Sequence, residues 1–191
     1  APLGRLPRGG DGLLAQVRAA ARAGAYAQCL AASTRPRSLE VAYERAWCAY
    51  NLDRPLEAAA LFAAAEGLGG AVQRDARFGL ALAYLAAGMS EDAARVAAAT
   101  EFTLDQRRQV EAIILNQRAV RAYRSGDYAR AIAFFDALEG LEGSLTRDLD
   151  LLRGYAYLNS GQRDRAREEF RRMNSALATP DTRRALEALE E

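Results

Sequence analysis

Apolar residues recur every three or four positions through most of the chain, and short breaks containing glycine, proline or aspartate interrupt this spacing. Such spacing places the apolar side chains on one face of an α-helix. The pattern therefore predicts an all-α fold of helices joined by short turns. The expected helices span 12–23, 26–34, 39–52, 55–66, 72–87, 91–99, 104–124, 128–139, 147–160, 163–176 and 181–190.

Five of the breaks recur at similar intervals along the chain. Measured at Gly24, Arg54, Gly88, Gly126 and Gly161, the intervals are 30, 34, 38 and 35 residues. Glycine suits an abrupt helix end, because a left-handed backbone conformation carries little penalty without a Cβ atom. The four glycines at matching places indicate that one helix–turn–helix unit is repeated.

The residues on either side of these turns recur as well. Seven positions before the turn residue are Val17, Trp47, Ala81, Ala119 and Gly154, and four positions before it are Ala20, Tyr50, Tyr84, Ala122 and Tyr157. Five positions after it are Cys29, Ala59, Ala93, Ala131 and Ala166, and nine positions after it are Ser33, Ala63, Ala97, Phe135 and Phe170. A small residue lets two helices approach closely, and an aromatic side chain fills the gap beside it. The positions therefore predict close packing within each hairpin.

The fifth segment resembles the signature of the tetratricopeptide repeat family. Its Gly154-x2-Tyr157 is followed by Ala166-x3-Phe170, and the fourth segment matches the second half of that signature. The first segment departs most from it. The resemblance implies a right-handed α-solenoid of about five helix-turn-helix repeats, followed by a C-terminal helix.

The resemblance also divides the chain into expected parts. The repeat array covers residues 11–178, with repeats at about 11–38, 39–70, 71–102, 103–144 and 145–178. Residues 1–10 are rich in glycine, proline and arginine and are expected to be disordered. Residues 179–191 are expected to form a capping helix or the first helix of a truncated next repeat, because a repeat stack exposes its last apolar face unless capped.

Helix-capping residues agree with this division. Ser38 and Ser90 are candidate N-cap residues, and the range 103–106 has the form of a capping box. Thr179 precedes Pro180, which is expected at a first helical position.

Charge and composition narrow the possible functions. The 26 Lys+Arg residues nearly balance the 25 Asp+Glu residues, for a net charge of +1, which argues against nonspecific binding of nucleic acid or anionic membrane. No apolar run approaches the roughly 20 residues of a membrane-spanning helix, so direct membrane insertion is not expected. All the cations are arginine, and histidine is absent. These absences exclude Ser-His and Cys-His triads, HExxH zinc sites, lysine Schiff bases and the Gly-Lys-Ser/Thr phosphate loop.

Few residues remain that could carry chemistry, so neither an enzyme nor a cofactor is expected. Cys29 and Cys48 could ligate a metal, act as nucleophiles, form a disulfide or serve as plain core thiols, and the last interpretation is preferred. Carboxylates such as Glu91-Asp92, Asp148 with Asp150, and Glu168-Glu169 could do acid–base work on sugars. Their expected place, at helix starts or on outward faces, favours a helix-dipole or solubility role instead.

The resemblance further implies that the first helix of each repeat lines a concave groove. Carried onto this chain, the principal groove positions are Arg18, Glu44, Asn51, Phe78, Leu82, Asn116, Val120, Tyr123, Tyr155 and Asn159. Secondary candidates are Leu14, Cys48, Asp75, Leu85, Leu151 and Leu158. This mixture of apolar, aromatic and amide side chains suits an extended or helical peptide segment. An alternative interpretation is that the leucines only fill contacts between repeats.

The expected function is therefore a noncatalytic protein–protein interaction scaffold that binds a partner segment in the concave groove. Residues 152–161 resemble bacterial exopolysaccharide (cellulose-type) export proteins. That resemblance implies, as an alternative, a periplasmic scaffold that recruits synthesis or modification proteins, and it favours the periplasm over the cytoplasm. A third alternative is an accessory domain of an enzyme. The expected partner is a protein or peptide, with homo-oligomers possible through the terminal repeats.

Overall fold

The computed structural model of the protein describes Leu6, residues 12–32, Pro36 and residues 38–190. This part of the chain is all-α, as predicted, and contains no strand. Its helices are α1 (Gly12–Arg22), α2 (Tyr26–Ala31), α3 (Leu39–Asn51), α4 (Pro55–Ala65), α5 (Gly70–Ala86), α6 (Ser90–Ala98), α7 (Leu104–Arg124), α8 (Tyr128–Glu142), α9 (Arg147–Asn159), α10 (Arg163–Ala176) and α11 (Pro180–Glu187), with one 3₁₀ turn at Glu66–Leu68 after α4. The prediction of disorder for residues 1–10 lies outside the described residues except at Leu6, and Ser33 also lies outside them.

Most of the predicted helix caps are present. The Val41 N–H donates to Ser38 Oγ at 3.3 Å. The range 103–106 forms a capping box with two hydrogen bonds of 3.2 Å, and Thr179 forms another, with Pro180 at the start of α11. Ser90 is the exception, because α6 begins at Ser90 itself and the N-cap residue is Met89. Its prediction as an N-cap is therefore wrong by one position.

The described residues up to Glu111 form one compact unit, and those from Ala112 onward form a second. In the first unit each helix from α1 to α6 packs against the next, and the first helices of consecutive hairpins also meet, α1 with α3 and α3 with α5. The core of the first unit is an alanine-rich cluster built around the fully buried Phe62. Leu6 is partly buried against the same cluster.

The second unit contains the end of α7 from residue 112 and the helices α8 to α11. Here α8 packs on α9, α9 on α10, and α10 on α11. One buried cluster surrounds Phe135 and includes Ala119 and Ala131. Another surrounds Phe170, and its members from α11 are Ala185 and the nearby Leu189. Every helix of this unit therefore contributes to a buried apolar contact.

The five hairpins in the described residues end their first helix in the same way. The turn residue has a positive φ: 70° at Gly24, 55° at Asp53, 73° at Gly88, 78° at Gly126 and 79° at Gly161. Its N–H donates to the carbonyl three residues earlier, and the following N–H donates to the carbonyl five residues before it. Both bonds satisfy carbonyls that the ending helix leaves without partners.

The second turn corrects the predicted register. Its left-handed residue is Asp53 and not Arg54, and Asp53 is the only non-glycine residue with positive φ among the described residues. Aspartate tolerates this conformation better than most residues do. Counted from Asp53, the repeated positions in this segment become Ala46, Ala49, Ala58 and Phe62 instead of Trp47, Tyr50, Ala59 and Ala63.

With this correction, the repeated small positions are buried in all five hairpins. The residues five positions after the turn are all 0% exposed: Cys29, Ala58, Ala93, Ala131 and Ala166. A Cβ built on Gly154 would lie 2.2 Å from the Phe170 ring, and one built on Gly79 would lie 2.4 Å from the Phe62 ring. The burial predicted for Ala131 and Ala166 is therefore confirmed, and the close approach of helices is seen at Gly154 and Gly79.

Candidate partner-binding surfaces

Cys29 and Cys48 form a disulfide that joins α2 to α3, with their Cα atoms 6.3 Å apart. Both side chains are fully buried, in a cluster with Val17 and Val41. The preferred interpretation of two plain core thiols is therefore wrong, and Cys48 cannot serve as a groove residue. The pairing depends on a distance between helices that the spacing of the two cysteines does not supply.

The corrected register changes which residues of α3 take the implied groove positions. Those positions lie ten, six and three residues before the turn, and counted from Asp53 they hold Tyr43, Trp47 and Tyr50. The predicted residues Glu44, Cys48 and Asn51 each lie one residue too far along the chain. Asn51 nevertheless falls two residues before the turn, at the position that Asn159 holds in the fifth segment. The aromatic residues were therefore missed only because the turn was misplaced.

Burial shows that α3 exposes a single face. All of α3 lies within the described residues, and seven of its side chains are buried, namely Leu39, Val41, Ala42, Arg45, Ala46, Cys48 and Ala49. The residues with accessible surface recur every three or four positions and define what we name the α3 stripe: Glu40, Tyr43, Glu44, Trp47, Tyr50 and Asn51. Three aromatic side chains are thus accessible along one side of one helix.

The aromatic rings of the α3 stripe pack edge to face. The ring centroids of Tyr43 and Trp47 are 6.5 Å apart with an interplanar angle of 87°, and those of Trp47 and Tyr50 are 5.9 Å apart at 86°. Behind them the Trp47 ring lies 4.8 Å from that of the buried Phe62. Perpendicular packing of this kind is favourable for aromatic pairs.

Charged and amide groups border these rings. Arg18 on α1 forms an ion pair with Glu44 at 2.7 Å, and the Asn51 side-chain N–H donates to the Trp47 carbonyl at 2.8 Å. Burial raises the pKa of the Tyr43 hydroxyl, and the nearby carboxylates of Asp75 and Glu44 raise it further, against a hydrogen bond with Trp47. The structure therefore brings the predicted residues Arg18, Glu44 and Asn51 to the edge of an aromatic surface.

The groove candidates on α5 have different environments. Phe78 is partly buried and packs edge to face against Phe102, with ring centroids 6.0 Å apart. Leu82 is only 5% exposed and Leu85 3%. Leu82 is therefore a core residue, and its prediction as a partner contact is wrong. This agrees with the alternative interpretation, in which the leucines only fill internal contacts.

In the second unit two of the predicted candidates, Tyr123 and Tyr155, lie near a third tyrosine, Tyr128. Tyr123 packs edge to face on Tyr128 at 5.6 Å, and Tyr155 packs on Phe170 at 5.2 Å. Burial raises the pKa of Tyr123, and the nearby Tyr128 and Tyr155 add to this shift. We name Tyr123, Tyr128 and Tyr155 the tyrosine patch. Of the other candidates, Asn116 and Asn159 are exposed, and Val120 is partly buried against the core of this unit.

An ionic network that sequence reasoning missed links α8, α9 and α10. Arg153 is only 4% exposed and donates to Asp136 at 3.0 Å, Glu139 at 2.7 Å and Glu169 at 3.0 Å. Arg172 donates to Glu169 at 2.7 Å and to Asp150 at 2.9 Å. Glu169 is 8% exposed, so its expected place on an outward face is wrong.

Protonation in this network follows from its contacts. The hydrogen bond from Arg153 lowers the pKa of Glu139, whereas burial raises the pKa of Asp150 against the opposing bond from Arg172. Burial disfavours the charge on Arg153, but its bonds to Glu139 and Glu169 outweigh this and raise the pKa of Arg153 above its ordinary value. The network is therefore an ionic link between helices, centred on a permanent cation.

No protein-family model matches the chain, and no curated protein matches it in sequence. Among the described residues, no three His, Cys, Asp or Glu side chains are grouped so that they could hold a metal ion. None of the helices in this part of the chain is long and apolar enough to cross a membrane. The likeness to tetratricopeptide repeats therefore depends on the repeated residues and turns alone.

Proposed function

We propose that this chain is a tetratricopeptide-like α-solenoid that acts as a noncatalytic scaffold and binds a protein or peptide segment along the first helices of its hairpins. The observation that carries the proposal is the repetition itself. Five hairpins share one turn geometry and one fully buried small position. Repeated hairpins that stack on their neighbours form extended binding surfaces in proteins of this kind.

The accessible faces of the first helices support a binding role. The α3 stripe, together with Tyr123 on α7 and Tyr155 on α9, presents partly buried Tyr and Trp side chains, which combine large apolar area with a polar tip. Such residues are enriched at protein–protein interfaces, where they often carry most of the binding energy. A peptide is a better match than nucleic acid, because the net charge of +1 supplies no excess positive field.

Variants of the second unit test this proposal. Tyr123→Ala and Asn116→Ala should each weaken capture of a partner from the source cells, by about tenfold for the tyrosine, because truncating an interface aromatic costs roughly 1–2 kcal/mol. Matched controls are Arg130→Ala and Arg167→Ala, whose partners are carboxylates three residues earlier in the chain. If the arginine variants abolish capture and the other pair does not, the proposed binding face is wrong.

A second candidate function gains support from the disulfide. Disulfides persist in oxidising compartments such as the bacterial periplasm, and this favours the periplasmic scaffold of an exopolysaccharide secretion system over a cytoplasmic role. The test is to trap thiols with an alkylating reagent in intact source cells and to fractionate those cells. Periplasmic protein with unmodified Cys29 and Cys48 supports this candidate, whereas cytoplasmic protein with both residues alkylated contradicts it.

A further inference from the structure

Leu6 makes an apolar contact with a distant part of the chain. It lies outside any helix and before α1 begins at Gly12, yet it packs against the buried cluster that α3, α4 and α5 form around Phe62. The buried member of that cluster nearest to it in the sequence is Ala42, which lies beyond both helices of the first hairpin. The contact is therefore a tertiary one, made by a segment that belongs to no hairpin.

This cluster accepts an additional apolar side chain because alanine supplies most of its buried residues. The buried alanines come from all three helices and are Ala42, Ala46, Ala49, Ala58, Ala59, Ala65, Ala76 and Ala83. A methyl group fills little of the space beside two packed helices, and protein cores leave few voids, so larger side chains complete the packing. Because Leu6 stays partly exposed, it lies at the edge of the cluster, where a side chain can enter or leave.

The sequence around Leu6 suits a segment that presents its side chain as an extended peptide does. Pro7 follows directly, and the residue before a proline is restricted to extended backbone conformations. The range 9–10 is two glycines, which also disfavour a helix. The connection from Leu6 to Gly12 can span at most about 22 Å, which exceeds the roughly 10 Å diameter of a helix. Since α1 packs directly against α3, this connection is long enough for the contact.

From these observations we propose that the alanine-rich cluster of the first unit carries a docking site for a leucine on an extended segment, and that residues 1–11 of the same chain occupy it through Leu6. We name this position the Leu6 site. The inference goes beyond the proposed function, since the occupant is part of the chain itself and not the partner. A tethered occupant needs little affinity, because a short flexible connection gives it an effective concentration on the order of millimolar. The same segment, supplied as a free peptide, should therefore bind once the tethered leucine is removed.

The docking can be measured with the full chain and a fluorescently labelled peptide that has the sequence of residues 1–11. Leu6→Asp should free the Leu6 site, because a carboxylate is costly to bury against alanine methyl groups. This variant should bind the peptide saturably in a fluorescence anisotropy titration. The wild type should bind it at least about tenfold more weakly, because its own segment competes. A peptide that itself carries Leu6→Asp should bind neither protein, since burial of the leucine provides the affinity.

The matched control is Leu104→Asp in the full chain. Leu104 is another leucine of the first unit, but it is 84% exposed and lies outside the cluster. This variant should therefore bind the peptide as weakly as the wild type does. A melting curve of each variant shows whether it is folded.

A crosslink tests the occupant in a chain that keeps an apolar side chain at position 6. A photoreactive leucine derivative at that position should react within the same molecule, with α3, α4 or α5. Mass spectrometry of the digested monomer identifies the residues joined. This measurement decides the question even where Leu6→Asp does not fold.

Three outcomes would overturn the inference. A folded Leu6→Asp variant that binds the peptide no more tightly than the wild type would show that no docking site was freed. Equal binding by Leu104→Asp would show that an added carboxylate acts wherever it is placed. Crosslinks only to another copy of the chain, or to none of the three helices, would show that residues 1–11 do not occupy the site. No cellular partner takes part in these measurements, so partner capture by Tyr123→Ala tests the proposed function separately.

Discussion

The first and last hairpins share one turn geometry but are fixed to their neighbours by different forces. In the α1–α2 hairpin the fully buried side chains are Val17 and Cys29, and a disulfide joins it to α3. In the α9–α10 hairpin the Phe170 ring fills the space above Gly154, and Arg153 ties three helices together. In the first hairpin a covalent link therefore supplements the packing, whereas the last hairpin is fixed by an aromatic ring and an ionic network.

The largest effect is expected from the ionic link of the last hairpin. Arg153→Leu leaves Glu169 and the half-buried Asp150 with Arg172 as their remaining cation. The loss is therefore expected near the lower end of the roughly 3–5 kcal/mol that breaking a buried ion pair costs. The expected result is a lower denaturation midpoint, together with faster hydrogen exchange in α9 and α10.

The matched control for this variant is Arg167→Leu. Arg167 pairs with a carboxylate that is 99% exposed, and an exposed pair contributes about 0–1 kcal/mol. Equal tolerance of the two substitutions would mean that the network contributes no more than a surface pair.

The disulfide is expected to act mainly on the first hairpin. Its cysteines are 19 residues apart, and closing a loop of that size stabilises a fold by about 3 kcal/mol. Replacing both Cys29 and Cys48 with alanine should therefore increase hydrogen exchange in α1 and α2, while the amides of α9 and α10 keep their protection. An unchanged α1–α2 hairpin would show that packing alone holds it.

A pair of glycine substitutions should give effects of opposite sign. Gly154→Ala places a Cβ 2.2 Å from the Phe170 ring and should destabilise the protein by about 1–3 kcal/mol, because overpacking strains the core. A Cβ built on Gly140 would meet no atom within 4 Å beyond its chain neighbours and its own helix backbone. Gly140→Ala should therefore stabilise α8 by about 0.5–1 kcal/mol. Chemical denaturation measures both effects. A stabilising Gly154→Ala would contradict the close packing of the Phe170 ring on Gly154.

The smallest expected effect concerns acid. Because the pKa of Glu139 is lowered by Arg153, its stabilising contribution is present above the ordinary glutamate pKa of about 4.3 and is lost as the pH falls through the lowered value. The raised pKa of Asp150 acts in the opposite sense, since protonation relieves its burial cost. The melting temperature should therefore fall only modestly below about pH 4.

Glu139→Gln should show a smaller acid loss than the wild type, and Glu168→Gln, at an exposed position of α10, should behave like the wild type. Identical acid profiles for all three proteins would contradict the role given to Glu139.

Much of the fold was predictable, because helix periodicity and glycine turns are local signals. The position of the second turn was not predictable, because Asp53-Arg54-Pro55 contains no glycine. From the sequence alone, either Asp53 or Arg54 could be the residue at which the helix ends. This single-residue error moved the expected contacts on α3 from its aromatic residues to their neighbours. A site carried over by register is therefore only as accurate as the turn from which it is counted.

The disulfide was only one of four open alternatives for the two cysteines, and the ionic network was not predicted, for a different reason. Both join side chains from separate helices, so they depend on distances that no local pattern contains. Arg153 follows Leu152 in a helix whose sequence gives no sign that an arginine there is buried. The burial of Leu82 likewise depends on how α5 packs, although its apolar character already permitted that interpretation.

The central claim, that the first helices of the hairpins bind a protein partner, can be tested by site-specific crosslinking in the source cells. A photoreactive phenylalanine derivative replaces Tyr50 on the α3 stripe in one variant and the exposed Ala63 on α4 in another. We predict a discrete protein adduct at position 50, identifiable by mass spectrometry, and little or none at position 63. An adduct only at position 63, or equal labelling at both positions, would contradict the account.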